Sequence, residues 1–475
     1  MSNRTVPVWL AIVAASIPVF MASLDNLVVT SALPVIHEKL GASVEDLQWI
    51  TNAYTLSFAA LMLLAVTLGD RFGRRHLFVA GIAIFTVASA LAALSTEPWV
   101  LIAARALQGV GGAAVMPLSL TLLAGSVSAR LRPLAIGIWG GIAGLGVALG
   151  PLIGGAVVEG WSWEAIFWIN VPIGVVAAIL ALVALPNSFG ARVRADLIGV
   201  ALVGVGILAL VFGIVRGNEA GWGSAQVIGS LALGTVLVLA FVWWESRFEA
   251  PLLPLRLFRD RSFSVANVVG LTFSFGAFGS VFILIQFLQV VQGHSPLVAG
   301  LMTMPWTLAP MVVAPLAGVF SGRIGTRALT VAGLTSLAVG IFWLGFTMTA
   351  DVAYVTLLPG FILAGIGMGL VFAPISTAVL ANMAPVDHAK ASGANSTLRE
   401  IGVALGIAVL TAVFTGAGGT LSPTGYVDAA VPAVFVGAAV LALAAVLALL
   451  MPAGKRVAVE AVDIIADEAR LVATV

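Results

Sequence analysis

Apolar runs of roughly 20 residues or more, separated by short polar breaks, recur about fourteen times along the chain. They fall at residues 8–36, 47–68, 77–95, 98–125, 133–158, 165–186, 197–215, 225–244, 263–290, 296–321, 328–348, 353–381, 393–415 and 429–451. Lipid offers no partner for backbone N–H and C=O groups, so runs of this kind cross a bilayer as helices that bond internally. The pattern predicts an all-α polytopic membrane protein with 14 transmembrane helices. The breaks sharpen it. With the N-terminus inside, the inner breaks receive Arg71, Arg74 and Arg75, then Arg130 and Arg132, Arg192 and Arg194, Arg247, Arg256, Arg259 and Arg261, Arg323 and Arg327, Lys390, and Lys455, Arg456 and Arg470. The outer breaks receive only Lys39 and Arg216. Positive charge collects on cytoplasmic loops, so the asymmetry predicts an inner-membrane protein with both termini cytoplasmic.

Composition narrows the function. The 475 residues are 61% hydrophobic and 9% charged, with a mean hydropathy of +1.13, which excludes a soluble globular domain. The absence of cysteine removes disulfide, iron–sulfur and thiolate–zinc chemistry. The four histidines, His37, His76, His294 and His388, never cluster in sequence, so no metal site is expected. A net charge of +1 argues against a nucleic-acid partner. The first run contains Asp25 and lacks a small-residue cleavage site, so it reads as a retained helix with no signal peptide. No GxxxxGK[ST] phosphate loop is present, which leaves an ion gradient as the energy source and no cofactor. Most tryptophans sit near span ends as interfacial anchors, whereas Trp139, Trp306 and Trp343 lie deeper and are candidates for a cavity wall or for packing.

A short internal echo divides the chain. Asp70-Arg71-Phe72-Gly73-Arg74-Arg75 after the second span resembles Gly322-Arg323-Ile324-Gly325-Thr326-Arg327 after the tenth. Repeated helical halves are how many transporters alternate access. The expected organisation is a six-helix half over residues 1–190, a two-helix insert over 191–250, a second six-helix half over 251–452 and a cytoplasmic tail over 453–475.

The fifth span is poor in bulk. Within Gly137 to Gly155, Gly146, Gly150 and Gly154 recur every four residues and stack on one face, where a neighbouring backbone approaches closely. Pro151 removes a ladder hydrogen bond and should loosen the helix there. A tight structural crossing and a conformational hinge both fit this spacing.

Three embedded charged sites stand out. Burying an ionised acid near a helix centre costs roughly 2.5 to 3.5 kcal/mol, so Asp25 in the first span requires a partner, water or a proton. Its distance from the inner end, about 24 Å at the helical rise, puts it near the depth of Arg105 in the fourth span. Arg105, Gln108, Gly112 and Met116 share a face. An Asp25–Arg105 pair that breaks and re-forms would let the acid exchange its counter-ion for a proton, which is what a proton switch requires; a fixed structural pair is the alternative. Arg399 and Glu400 in the thirteenth span point about 100° apart, so they need not pair; Glu400 reads equally as a snorkelling acid or a cavity-facing proton or cation site. Asn52, Tyr54, Asn170, Gln286, Gln289 and Gln292 add neutral groups that contact a ligand or another helix, with packing the plainer reading.

Taken together these motifs resemble the fourteen-span drug/proton antiporter branch of the major facilitator superfamily over essentially the whole chain. Asp70 to Arg75 resembles that superfamily's inner-loop signature, RALQGVGGAA from Arg105 to Ala114 its fourth-helix signature, and GLGVALGPLIGG from Gly144 to Gly155 the antiporter signature. LDNLVVTSALP from Leu24 to Pro34 and WINVPIG from Trp168 to Gly174 are similar to features of the drug-antiporter branch. The resemblance implies that Asp70, Arg71, Gly73, Arg74 and Arg75 gate the inner side and that Arg105 takes part in proton coupling. It also implies that Gly146, Gly150, Pro151, Gly154 and Gly155 keep antiport coupled, and that Asp25 and the Arg399 region line the path. Asn52, Tyr54, Gln108, Met116, Gln286 and Gln289 are the cavity candidates. Two positions depart from the pattern: Val66 stands where the loop signature begins with glycine, and Glu400 where similar proteins carry a neutral residue.

The resulting expectation is not an enzyme but a multidrug efflux antiporter. It would expel hydrophobic or cationic small molecules in exchange for protons, with the bilayer as its setting and no obligate protein partner. A dedicated exporter of one metabolite or antibiotic shares its mechanism. A membrane-embedded enzyme acting on lipid-linked substrates is the rival class, and would need its acids, histidines or metal ligands gathered at one interface, where this chain scatters them.

Overall fold

The structure is a computed structural model that describes residues 7–128, 131–190, 195–249, 251–383, 387–423 and 425–452. Arg130, Arg192 and Arg194, and the tail expected from Lys455 onward, lie outside the described residues, as do the side chains of Arg132, Arg323 and His388.

The apolar runs become helices α1 (Val8–Leu40), α2 (Val44–Phe72), α3 (Arg74–Ala93), α4 (Pro98–Ser126), α5 (Arg132–Gly160), the pair α6 (Ala165–Trp168) and α7 (Asn170–Ala184), α8 (Leu197–Ala220) and α9 (Ala225–Glu245). They continue as α10 (Arg261–Gln286), α11 (Pro296–Ile324), α12 (Thr326–Thr347), α13 (Tyr354–Leu380), α14 (His388–Gly416) and α15 (Val427–Ala448). Among the described residues, with α6 and α7 taken as one span, thirteen helices are long and apolar enough to cross a membrane, and α5 makes fourteen if its two bent segments are one span. The chain is a multi-pass membrane protein. Helix starts are marked where polar caps are available. Ser43 and Asp46 form a reciprocal capping box on α2, Ser224 caps α9, and Asp260 accepts from the Phe263 amide at 2.8 Å to cap α10.

One packing pattern occurs twice. In the first part of the chain α1 packs on α5, α2 and α3 on α4, and α3 on α7; in the last part α10 packs on α14, α11 and α12 on α13, and α12 on α15. The echoed loops match this repeat, because both tight turns pivot on a left-handed glycine, Gly73 at φ 105° and Gly325 at φ 93°. Between the two arrays α8 and α9 form a hairpin, and α8 packs against α2 and α14, so it covers the seam where those helices meet.

The glycine face of α5 is spent on α1. A Cβ on Gly146 would lie 2.8 Å from the Phe20 carbonyl oxygen, on Gly150 2.7 Å from Leu27 Cβ, and on Gly154 2.7 Å from the Val28 carbonyl oxygen. The neighbouring Gly155 faces α11, where a Cβ would come within 2.2 Å of the Pro296 carbonyl oxygen. The segments Ile138–Gly146 and Leu149–Gly160 meet at 45°. The break falls next to residue 147, whose carbonyl Pro151 leaves without its usual N–H donor.

Candidate functional site

The face of the bundle that carries the start of α1 and the α2–α3 turn, here the basic face, differs from the opposite face in how α5 meets α11. Toward the opposite face they touch: Pro151 and Leu152 abut Gly300, Gly155 abuts Pro296, and Ser31 Oγ donates to the Pro151 carbonyl at 3.2 Å. Gln289 Nε2 donates to the Ser31 carbonyl at 3.0 Å, tying α10's end to α1. Toward the basic face the two helices part. Gly140, Gly141 and Gly144 have open space where a Cβ would be, and with Trp139 they form one wall of a cavity of about 680 Å³. The other walls come from Ser23 and Leu27 of α1, Met116 of α4, Phe278 of α10, Trp306 to Pro315 on α11, Met368 and Phe372 of α13, and Arg399 of α14. The cavity is therefore shared by helices from both arrays and shut at the opposite face. Its volume and apolar lining suit a drug-sized molecule.

Asp25 lies beside the cavity without lining it. Its carboxylate is ion-paired with Arg105 and also accepts from Asn170 Nδ2 at 2.8 Å and Gln108 Nε2 at 3.2 Å. Arg105 Nη1 also donates to Gln108 Oε1 at 2.8 Å and its Nε to the Ile50 carbonyl at 3.2 Å, while the guanidinium stacks 4.5 Å over the Tyr54 ring. Gln108 reaches on to Ser89 Oγ at 2.8 Å, and Tyr54 to the Ala22 carbonyl at 3.3 Å. Asp25, Arg105, Gln108 and Asn170 are all 2% exposed or less. Five helices thus contribute to one buried polar cluster, and Arg105 Nη2 lacks a hydrogen-bond partner among the described residues.

The sequence-based cavity set divides. Among the described residues Met116 lines the cavity. Tyr54 and Gln108 are drawn into the Arg105 cluster instead, because a buried cation takes up nearby dipoles and ring faces. Gln286 bonds back to the Phe282 carbonyl at 2.9 Å, and Gln289 belongs to the seal on the opposite face. Asn52 is fully buried on α2, with both amide atoms unpartnered. Arg399 faces the cavity, whereas Glu400 is not among the described lining residues. Glu400 falls on the side of α14 that carries Gly393 and Thr397, which meet Leu63 and Met62 of α2, and its Oε2 is buried without a partner. Trp139 and Trp306 line the cavity, but Trp343 stands outside it, bonded to the Thr356 carbonyl at 2.7 Å. Ser89 is the cluster member that sequence gave no sign of, whereas Asn170 reads from sequence as a neutral polar group with packing its plainer role. A polar residue in the otherwise apolar stretch from Ala165 to Ala184 was the available signal for Asn170.

The α2–α3 loop docks on the segment after α7. Asp70 pairs with Arg74 at 2.7 Å and its carbonyl accepts from the Gly190 amide at 3.0 Å, while the Arg74 amide donates to the Ser188 carbonyl at 2.9 Å. Arg75 Nη1 donates to the Leu182 and Leu185 carbonyls, and Arg71 lies over the ring of Phe72. On the same face Arg256 grips Asp387 with two hydrogen bonds of 2.6 and 2.9 Å, tying the segment before α10 to the start of α14.

The duplicated helix packing around a central cavity is the architecture of a membrane transporter, and comparison with known proteins agrees. The family model of the Major Facilitator Superfamily matches residues 15–406 and again 267–470. The chain belongs to this superfamily. It is 37% identical to the multidrug resistance protein Stp of Mycobacterium tuberculosis over 433 residues, 90% of this chain and 80% of that protein. It is 38% identical to the cephamycin export protein CmcT of Amycolatopsis lactamdurans over 465 residues, 95% and 94% of the two chains. Among solved structures, the human organic anion transporter MFSD10 shares the fold at a TM-score of 0.63 and 16% identity, covering 93% of this chain and 99% of that one.

Proposed function

We propose that this protein is a secondary active transporter of the cell membrane that exports hydrophobic small molecules from the cytoplasm in exchange for protons, with both termini cytoplasmic. One observation carries the reading: a largely apolar cavity walled by helices from both arrays and shut at the face opposite the arginine-rich loops. In this orientation the cavity is loaded from the cytoplasm. Relatives named for multidrug resistance and antibiotic export support the direction of transport.

In the proposed cycle Asp25 is the proton carrier and Arg105 its counter-ion, and Glu400 is a second titratable group at the α2–α14 seam. The working units are residues 1–190 and 251–452, rocking about the glycine crossings of α5, with 191–250 bracing the α2–α14 side and 453–475 as a cytoplasmic tail. The Asp70 to Arg75 loop acts as the inner latch. No cofactor enters the cycle. Each charge moved across the membrane is worth about 2.3 kcal/mol per 100 mV, enough to drive accumulation. The sequence-based expectation also included cationic substrates; the charged side chain among the described lining residues, Arg399, favours uncharged or anionic molecules instead.

The test is uptake of a neutral dye into inverted vesicles under an imposed proton gradient. Uptake that stops when the gradient is dissipated supports the proposal, and uptake indifferent to the gradient overturns it. A dedicated exporter of one compound is the second reading, favoured by the cephamycin-export relative. A panel of unrelated dyes separates the two.

A further inference from the structure

The cavity holds one charged side chain among its described lining residues, and it is basic. The stem of Arg399 passes over Gly270, where a Cβ would sit 3.4 Å from its Cγ, and its guanidinium lies 4.3 Å over the Phe372 ring. Its Nε is buried with no hydrogen-bond partner, and Arg399 forms no ion pair among the described residues. The adjacent acid, Glu400, is turned about 100° around α14 toward α2 and makes no ion pair with it. A guanidinium stays charged at any physiological pH, and a cation set in an apolar cavity wall calls for an anion with acceptor atoms. The Phe372 face answers part of that charge but accepts none of its N–H donors well.

The planar fork of N–H donors on a guanidinium suits a planar two-oxygen acceptor. Around it the lining is aromatic and thioether: Trp139, Trp306, Phe278 and Phe372, with Met116, Met311 and Met368. Such walls favour flat, polarisable ring systems. Resting on the export reading above, we propose that the substrates of this transporter are apolar ring compounds bearing a single carboxylate or ionised phenol, held by Arg399 through that anionic group. Selectivity against cations follows, since an approaching ammonium meets a like charge and no carboxylate. The choice also fits the energetics: an anion leaving as a proton enters moves both charges the way a negative-inside potential favours, whereas a monocation exchanged for one proton moves no net charge.

The probes are anthraquinone-2-carboxylate, its neutral carboxamide, and ethidium, measured by equilibrium dialysis against the purified full chain. The native protein should bind the carboxylate about tenfold or more tighter than the carboxamide, as expected for a charge-assisted bidentate contact. Arg399→Gln should weaken binding of the carboxylate far more than that of the carboxamide, so that the two affinities converge, and Arg399→Lys should retain part of the preference. Equal affinities in the native protein, a preference that survives Arg399→Gln, tighter binding of ethidium, or no saturable carboxylate binding would each overturn the proposal. The native comparison needs no variant, so a folding defect in Arg399→Gln does not remove the test. Gradient-driven uptake of the carboxamide reports separately on the export reading.

Discussion

Asp25 is held by Arg105 inside the first helical array, on the face of α1 turned away from Ser23 and Leu27, which line the cavity. A residue two positions from each lies about 200° around the helix, so the acid and a bound molecule address opposite sides of α1. If Asp25 carries the proton as proposed, proton and substrate do not compete for one atom. Their coupling, in the proposed cycle, runs through the position of α1, which the glycines of α5 hold on one side and the Arg105 cluster on the other.

This separates a structural from a coupling role for the pair. Asp25→Asn leaves Arg105 buried without its counter-ion, and breaking such a pair costs about 3–5 kcal/mol. Asp25→Asn combined with Arg105→Gln removes both charges and should recover most of the thermal stability lost by the single change. It should not recover gradient-driven uptake. Thermal unfolding followed by tryptophan fluorescence, alongside vesicle uptake, tests both; uptake restored with stability would mean that the pair serves folding alone.

Asn170 donates to the Asp25 carboxylate from a helix break that sequence inspection treats as packing. Asn170→Ala should cost about 1.5–3 kcal/mol, the range for a hydrogen bond to a charged group. The loss should shrink in an Asp25→Asn background, because the charge that strengthens the bond is gone. A double-mutant cycle on unfolding midpoints in detergent measures that coupling, and strict additivity would contradict the arrangement.

The two ends of α5 should respond oppositely to a methyl group. Gly155→Ala places a carbon within 2.2 Å of the Pro296 carbonyl and must push α5 from α11, whereas Gly140→Ala and Gly144→Ala meet nothing within 4 Å. The chain has no native cysteine, so paired Glu159→Cys and Leu297→Cys report on the seal directly. Cross-linking of that pair should fall in the Gly155→Ala background and stay unchanged in Gly140→Ala.

Asp196 and Glu245 meet at the foot of the α8–α9 hairpin. Asp196 accepts from Trp244 Nε1 and from the Gly199 amide, Glu245 Oε2 accepts from the Leu253 amide at 2.9 Å, and Glu245 Oε1 is buried with no donor. Glu245→Gln supplies the missing N–H while keeping an oxygen for Leu253. It should raise the unfolding midpoint, by up to the roughly 1–3 kcal/mol that an unsatisfied buried group costs. A lowered midpoint would show that the two carboxyls already share a proton.

The architecture was legible because each span must satisfy its own backbone, so apolar length alone counts helices, and the arginines mark alternate loops. Depth was legible too, since the helical rise converts residue number into distance, and Asp25 and Arg105 meet as their depths allow. Facing was not. Whether Gln108 and Tyr54 turn to a cavity or to a neighbouring guanidinium depends on helix rotation, which packing decides and periodicity in a uniformly apolar helix does not reveal. The same limit hid the roles of Gln286, which bonds back to its own helix, and of Gln289, which closes the opposite face instead of lining the path.

The most direct measurement is proton movement driven by substrate alone. Purified protein in liposomes with an internal pH dye, given an outward substrate gradient and no imposed pH gradient, should move protons inward in proportion to the substrate that leaves. Asp25→Asn should let neither move at the native rate. Substrate exit with no matching proton entry would contradict the account.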